Sequence, residues 1–203
     1  MAKTFAGDFP VLTYGLDAKN LTQPLGLLSG AEDSRILSGV PLELLEKAST
    51  EPLAANAHSK GVAPENMTAS GLDEVFRTVA INGDRAGRPY VSVVEAFDFP
   101  MYGLQWHPEK SQFEWGLDPD GTPHFTLNHS ADAVQLSQVL ASFFASEARR
   151  CDHSFQSIME WEPNMFYNLE VHATGPSTGQ NYFFPHGRRE EAAISTFDTA
   201  MKF

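Results

Sequence analysis

This sequence predicts an α/β fold on three observations. "EVFRTVAINGDRAGRPYVSVVEA" places β-branched and aromatic residues on both sides of Asn82, Gly83 and Gly87, which reads as two strands around a Gly-rich turn. After a short break at 98–100, "MYGLQW" reads as a third strand. "SADAVQLSQVLASFFASEARR" then reads as a helix that should pack on the sheet. Ser130 is its N-cap, Asp132 lies in the first turn, and Arg149 and Arg150 suit the C-terminal end. Its apolar stripe comprises Leu136, Val139, Leu140, Phe143 and Phe144.

The remaining elements are less marked. The opening, "GDFPVLTYGLDAKNLTQPLGLLSG", mixes apolar residues with Gly and Pro and reads as a strand end followed by irregular chain. "SGVPLELLEKAS" predicts a short helix, with Pro41 near its start, Leu42, Leu45 and Ala48 at three-residue intervals, and Glu43 and Lys47 as an i,i+4 pair. "GLDPDGTPHFTLNHS" is a loop, "MFYNLEV" and "NYFF" read as short strands, and "PHGRREEAAISTFDTAMKF" reads as a tail.

Composition limits the function classes. With 203 residues, 42% of them hydrophobic, the chain can build a core of domain size. A formal charge of -12 repels phosphate backbones and anionic headgroups, so neither nucleic acid nor a membrane surface is an expected partner. The start, "MAKTFAGDFP", has no apolar run of the signal-peptide kind, yet Asn20, Asn66 and Asn128 each begin an N-x-[ST] sequon, the acceptor of secretory-pathway glycans. One cysteine, Cys151, excludes an internal disulfide framework and a CxxC zinc ribbon.

The chemistry centres on "YGLQWHPEKSQFEW" at 102–115. A histidine acting as general base needs its second ring nitrogen held by an acceptor. Residues i and i+2 on an extended segment point the same way, so Glu109 can serve His107. Spacing alone leaves this relay and a purely structural ion pair equally open. A metal reading lacks further ligands, since H-x-E here is followed by no P-C-x-x-C and HExxH is absent. His58, among small residues in "EPLAANAHSKG", is the most notable of the other histidines.

"EAFDFPMYGLQWHPEKSQFEW" closely resembles the strand and catalytic loop of gamma-glutamyl hydrolases, cysteine hydrolases of the class I glutamine-amidotransferase-like superfamily. "GDFPV", "PLELLEKASTEPLAANAHSKGV" and "ASFFASEARRCDHSF" resemble further segments of that family in the same order. The resemblance spans about residues 7 to 184. It implies a partial domain over 1–184 followed by a tail at 185–203, with a flavodoxin-like three-layer sandwich incomplete at its N-terminus.

The resemblance also implies hydrolysis of γ-glutamyl bonds in folylpoly-γ-glutamates, with no cofactor. In the family a cysteine attacks the γ-amide carbonyl, a histidine moves the proton, and backbone N–H groups hold the oxyanion. His107 carries over as the catalytic histidine, Glu109 as its orienting acid, and His58 and Trp106 as substrate-binding residues. The family further implies a lysosomal, vacuolar or extracellular location and leaves a homodimer open.

One departure bears on all of this. The family's nucleophile follows its "GDYFPV"-like segment in a Gly-Thr-Cys-Leu-Gly turn, whereas this chain reads "GDFPVLTYGLDAKNL" and places Tyr14 or a gap there. A tyrosine with its ordinary pKa of about 10 is a poor nucleophile at neutral pH. The sequence therefore predicts a shortened form of a longer enzyme, weakly active or inactive by itself. A non-catalytic protein that keeps the γ-glutamyl pocket is the other reading; a glutaminase subunit fits less well, because the Trp106 and Glu114-Trp115 flank argues against it.

Overall fold

The computed structural model describes residues 6–7, 10–173 and 180–184. Asp8 and Phe9 of "GDFPV" and the tail at 185–203 lie outside the described residues, so the expected boundary after 184 falls at their edge. The chain divides into two compact units, Met1–Asp152 and His153–Phe203. The described part is a mixture of helices and small antiparallel sheets.

The first strand corrects the expectation of irregular chain. β1, Leu12–Gln23, is twelve residues long and pairs antiparallel with β2, Ala54–Val62. Two register shifts, between Tyr14 and Ala18 and between Lys19 and Leu21, break the period-2 pattern that would have announced a strand. Gly15 (φ 74°) and Asn20 (φ 51°) supply the left-handed backbone these irregularities use.

The Gly-rich turn of the predicted hairpin docks on the first irregularity. Asp84 is buried there and accepts hydrogen bonds from the amides of Asp17, Ala86 and Arg88 and from the Arg88 guanidinium. The Asp17 amide first, then the Arg88 contacts, hold its carboxyl down to about 2 against the opposing effect of burial. Arg85 adds an ion pair to Asp17 at 2.8 Å.

β3, Phe76–Gly83, β4, Pro89–Ala96, and β5, Tyr102–Leu104, form an antiparallel sheet in sequence order. The three successive strands expected before the His107 segment are therefore present. The chain at 25–28 runs beside β3, with the Ile81 amide donating to Gly26 O at 2.9 Å and the Leu28 amide to Val79 O at 3.0 Å. A Cβ at Gly26 would stand 1.9 Å from Ile81 O, so only glycine permits this approach.

α1, Leu42–Thr50, and α4, Ala131–Ala148, are the two expected helices; α2, Pro64–Ala69, and α3, Lys110–Phe113, are single turns between them. The Ser130 hydroxyl accepts from the Ala133 amide as an N-cap should. The main core joins Leu136 and Leu140 of α4 to Leu44, Leu45 and Ala48 of α1 and to Val79, Val93 and Trp106. Two expected core residues are corrected: Leu42 is 75% and Phe144 74% exposed. The 100° helical step turns Leu44 inward in place of Leu42, and it carries Phe144 past the stripe that Leu136, Val139, Leu140 and Phe143 cover.

In the second unit, α5, Ile158–Trp161, is followed by single 3-10 turns at 162–164 and 166–168. β6, Val171–Ala173, pairs antiparallel with β7, Gln180–Tyr182. The expected strand in "MFYNLEV" is thus confined to its last residue and beyond, because its aromatic start coils into a 3-10 turn.

Leu136→Ala empties a fully buried position and should cost about 2–5 kcal/mol in urea unfolding, whereas Phe144→Ala should cost under about 0.5 kcal/mol. Equal losses would contradict this placement of the helix face.

Candidate functional site

The site is built on β2. Ala54, Ala55, Ala57 and Gly61 keep parts of this strand, "AANAHSKGV", small between its larger polar residues. The His107 amide donates to Ala55 O at 2.8 Å, which ties the segment after β5 to this strand. Gln105 N donates to Ser92 O at 2.9 Å and holds the same segment to β4. Between these anchors Trp106 turns inward and joins the main core, 4% exposed. Alternation along the segment then directs His107 outward.

His107 Nδ1 lies 2.8 Å from Glu109 Oε1, so the structure brings together the pair expected from the sequence. Both side chains are about half exposed. Burial raises the Glu109 carboxyl, but the His107 hydrogen bond, with smaller help from backbone and from the Lys110 charge, outweighs it and leaves Glu109 below its ordinary value. Glu109 is then a carboxylate at neutral pH, and an acceptor-only group opposite Nδ1 places the proton on Nδ1. In the neutral ring that tautomer leaves the lone pair on Nε2, the arrangement a general base requires.

His58 sits on the same strand, two residues beyond Asn56 and therefore on the same face. Its Nε2 is 3.2 Å from Asn56 Oδ1, and its ring meets the buried Tyr90 ring edge-on at 4.6 Å between centroids. Tyr90 O–H donates to Asn56 Oδ1 at 3.0 Å and accepts from Gln23 Nε2 at 2.7 Å. Burial pushes the Tyr90 phenol up to about 12, so it stays protonated. Burial also lowers His58, the Lys60 backbone opposing and the His107 charge adding to the drop.

The other expected residues are placed as follows. Tyr14 is 62% exposed on β1 opposite Lys60, whose ammonium lies 5.2 Å from its ring centroid. Five residues of β2, about 16 Å, separate Lys60 from the Ala55 carbonyl that holds His107. Cys151 is exposed beyond the end of α4. α4 meets the segment after His107 at Ser137, whose hydroxyl accepts from Gln112 Nε2 at 2.6 Å, and Ala148 lies eleven residues, about 16 Å, further along.

Asn66 and Asn128 donate Nδ2, the atom a glycan would occupy, to Val11 O and Pro52 O. Asn20 is exposed, and its Oδ1 accepts from the Thr126 amide at 2.6 Å. Among the described residues no cluster of three metal-ligating side chains occurs, and no helix is long and apolar enough to cross a membrane.

Sequence reasoning missed Gln23, Asn56 and Tyr90. Asn56 and His58 alternate with alanines, which is a period-2 signal, but alanine is a poor strand former and hid it. Gln23 and Tyr90 reach the site only through pairings between distant segments, which no local pattern records.

Over most of its length the chain is similar to curated gamma-glutamyl hydrolases. It is 35% identical over 177 residues to the one from Homo sapiens, covering 85% of this chain and 53% of that protein. It is 39% identical over 139 residues to gamma-glutamyl hydrolase 1 of Arabidopsis thaliana, covering 68% of this chain and 38% of that protein. It is 30% identical over 164 residues to gamma-glutamyl hydrolase B of Dictyostelium discoideum, covering 80% and 45% respectively. The chain thus spans about half the length of the curated relatives it matches, or less. No family model matches the chain.

The His58 environment predicts a pH dependence. Because folding lowers His58 below 6.5, the unfolded chain takes up the proton first as pH falls. Its contribution is complete above about pH 6.5 and declines below that; the Glu109 contribution is complete above about pH 4.5 and is lost lower still. Urea midpoints measured at about pH 7.5 and about pH 5.5 should fall less for His58→Gln than for the unsubstituted chain. Equal declines would contradict the assignment.

Proposed function

Given that this chain belongs to the gamma-glutamyl hydrolase family, we propose that it carries the acid–base pair and ligand site of such an enzyme without a nucleophile beside them. His107 is the base and Glu109 its orienting acid; His58 contacts the ligand, and Trp106 forms the buried floor. The ligand class is γ-glutamyl compounds, folylpoly-γ-glutamates among them.

The observation that supports this reading is the 2.8 Å His107–Glu109 contact beside His58, in a sequence whose sole cysteine follows the far end of α4. In the complete reaction a thiol passes its proton to His107 Nε2 and forms an S–C bond at the γ-carbonyl. Backbone N–H groups hold the oxyanion. The C–N bond then breaks, and Nε2–H returns the proton to the leaving amine. Water repeats the sequence on the thioester and releases the acid.

Tyr14 does not meet this requirement, being an exposed phenol well along the strand from the pair. The same proposal takes the described strands and helices as part of a flavodoxin-like three-layer sandwich. It takes the protein as lysosomal, vacuolar or secreted, with Asn20 as the sequon best placed for a glycan. Oligomerisation as a homodimer belongs to the same reading.

A second reading, a non-catalytic γ-glutamyl-binding protein, is favoured by one observation. The chain from Gln23 through Tyr90 and Asn56 to His58 is complete although the nucleophile is not.

Incubation of the purified chain with a pteroyl-γ-glutamate oligomer should give no turnover above that of His107→Ala. Turnover abolished by that substitution would overturn the account of the nucleophile. Calorimetry with the same oligomer separates the two readings: binding without turnover is the result expected of the binding protein.

A further inference from the structure

The loop between α3 and α4, residues 114–130, forms a cavity of about 490 Å³, within the range of small-molecule sites. The acid–base chemistry above does not use it. The loop closes on itself at 116–124, where the His124 amide donates to Gly116 O at 2.9 Å, the Asp118 amide to Thr122 O at 2.8 Å, and His124 Nδ1 meets the Asp118 carboxylate at 2.7 Å. It is tied to β1 through Thr126, whose amide donates to Asn20 Oδ1 and whose carbonyl accepts from the Thr22 hydroxyl. The walls are therefore built before any ligand arrives.

Trp115 is the aromatic wall. Its indole N–H donates to Gln112 O at 3.1 Å, and His129 stacks on it with 3.7 Å between centroids and 16° between planes. His129 is held in turn through Nδ1, which donates to Ser111 O at 2.9 Å. The stack covers one face of the indole, yet Trp115 remains 65% exposed, so its other face is bare.

The lining selects the ligand. Leu117, Pro123, Phe125 and Leu127 add apolar surface, Glu114 is the one carboxylate, and among the described residues neither lysine nor arginine lines the cavity. The Lys110 ammonium is engaged outside it, 3.4 Å from Glu114 and 4.3 Å from the Phe125 ring centroid. Such a lining has no partner for the carboxylates of a glutamyl chain. It suits a flat ring that stacks and an N–H that donates.

We propose that this cavity takes a planar aromatic group bearing N–H donors, stacked on the bare face of Trp115 with the Glu114 carboxylate accepting from it. On the functional reading above, that group is the amino-substituted pteridine and aryl head of a folyl compound, with the glutamyl tail running toward His107, seven residues before Glu114. The ligand's identity rests on that reading; the aromatic site does not. A purely structural Trp115 would steady the loop and leave ligand affinity unchanged.

Calorimetry with pteroate, which has the rings and no glutamate, and with γ-glutamylglutamate, which has no ring, tests the two parts separately. Pteroate should bind the unsubstituted chain, Trp115→Ala should weaken it about tenfold, and Trp115→Phe should recover most of the loss. Glu114→Ala should weaken pteroate as well, and unchanged affinity there overturns the acceptor role. In a proton–nitrogen correlation spectrum the Trp115 indole signal, identified by its loss in Trp115→Phe, should move as pteroate is added. That shift decides the matter if Trp115→Ala does not fold.

No pteroate binding, or binding that leaves the indole signal unmoved and is equal in folded Trp115→Ala, overturns the aromatic site, and γ-glutamylglutamate binding in that case leaves the functional reading standing. Trp115-dependent binding of pteroate, without binding of γ-glutamylglutamate and with no gain for the pteroyl-γ-glutamate oligomer over pteroate, keeps the site and removes the γ-glutamyl reading. Self-association that Trp115→Ala abolishes, with no pteroate bound, makes the surface an interface between copies and overturns the proposal.

Discussion

One backbone hydrogen bond, from the His107 amide to the Ala55 carbonyl, is the contact on which the candidate site depends. It joins a segment that leaves one sheet to a strand of the other. Without it, the segment would be held by Gln105 on β4 and the buried Trp106, and nothing would tie His107 to the strand that carries His58. With it, β2 becomes the common support for both histidines. One is carried on the strand itself, and the other is tied to it three residues away. A site supported by a strand keeps its geometry better than one supported by a loop alone.

The support works because β2 is itself held on both sides. Its small side chains let β1 pair along nearly its whole length, and Gly61 leaves room for Leu16 and Tyr90. Tyr90 reaches across from β4 to Asn56, and Gln23 reaches Tyr90 from the end of β1. Polar groups buried in this way are costly if any member is unpaired, and among the described residues the buried side-chain atoms without a hydrogen bond are His58 Nδ1, Ser92 Oγ and Trp106 Nε1.

How much of this was legible in the sequence differs by element. The hairpin of β3 and β4, the third strand and α4 each announce themselves through local pattern, turn chemistry or a cap, and the structure has them. The His107–Glu109 contact was expected from i and i+2 on extended chain, and the structure makes it another way, through a turn at 108–109 in which Glu109 has helical backbone angles (φ -68°, ψ -26°). β1 was not, because its two irregularities destroy the alternation that marks a strand. Leu42 and Phe144 were misplaced for a different reason. A three-residue spacing drifts off the 100° helical step, so the edge of an apolar stripe is uncertain by one residue. Asn56 and Tyr90 depend on pairing between distant strands, and no window along the chain contains both.

The similarity to gamma-glutamyl hydrolases supplies the chemistry to look for, and the residues brought together are the hydrogen-bonded pair His107 and Glu109 and the second histidine, His58. All three stand on β2 or are tied to it. Native-state hydrogen exchange of the His107 amide tests that dependence most directly. The account predicts protection comparable to the amides of β2, because opening the Ala55 contact requires the strand to open with it. Exchange at the rate of the exposed loop at 116–124 would contradict it and return His107 to a loop without support.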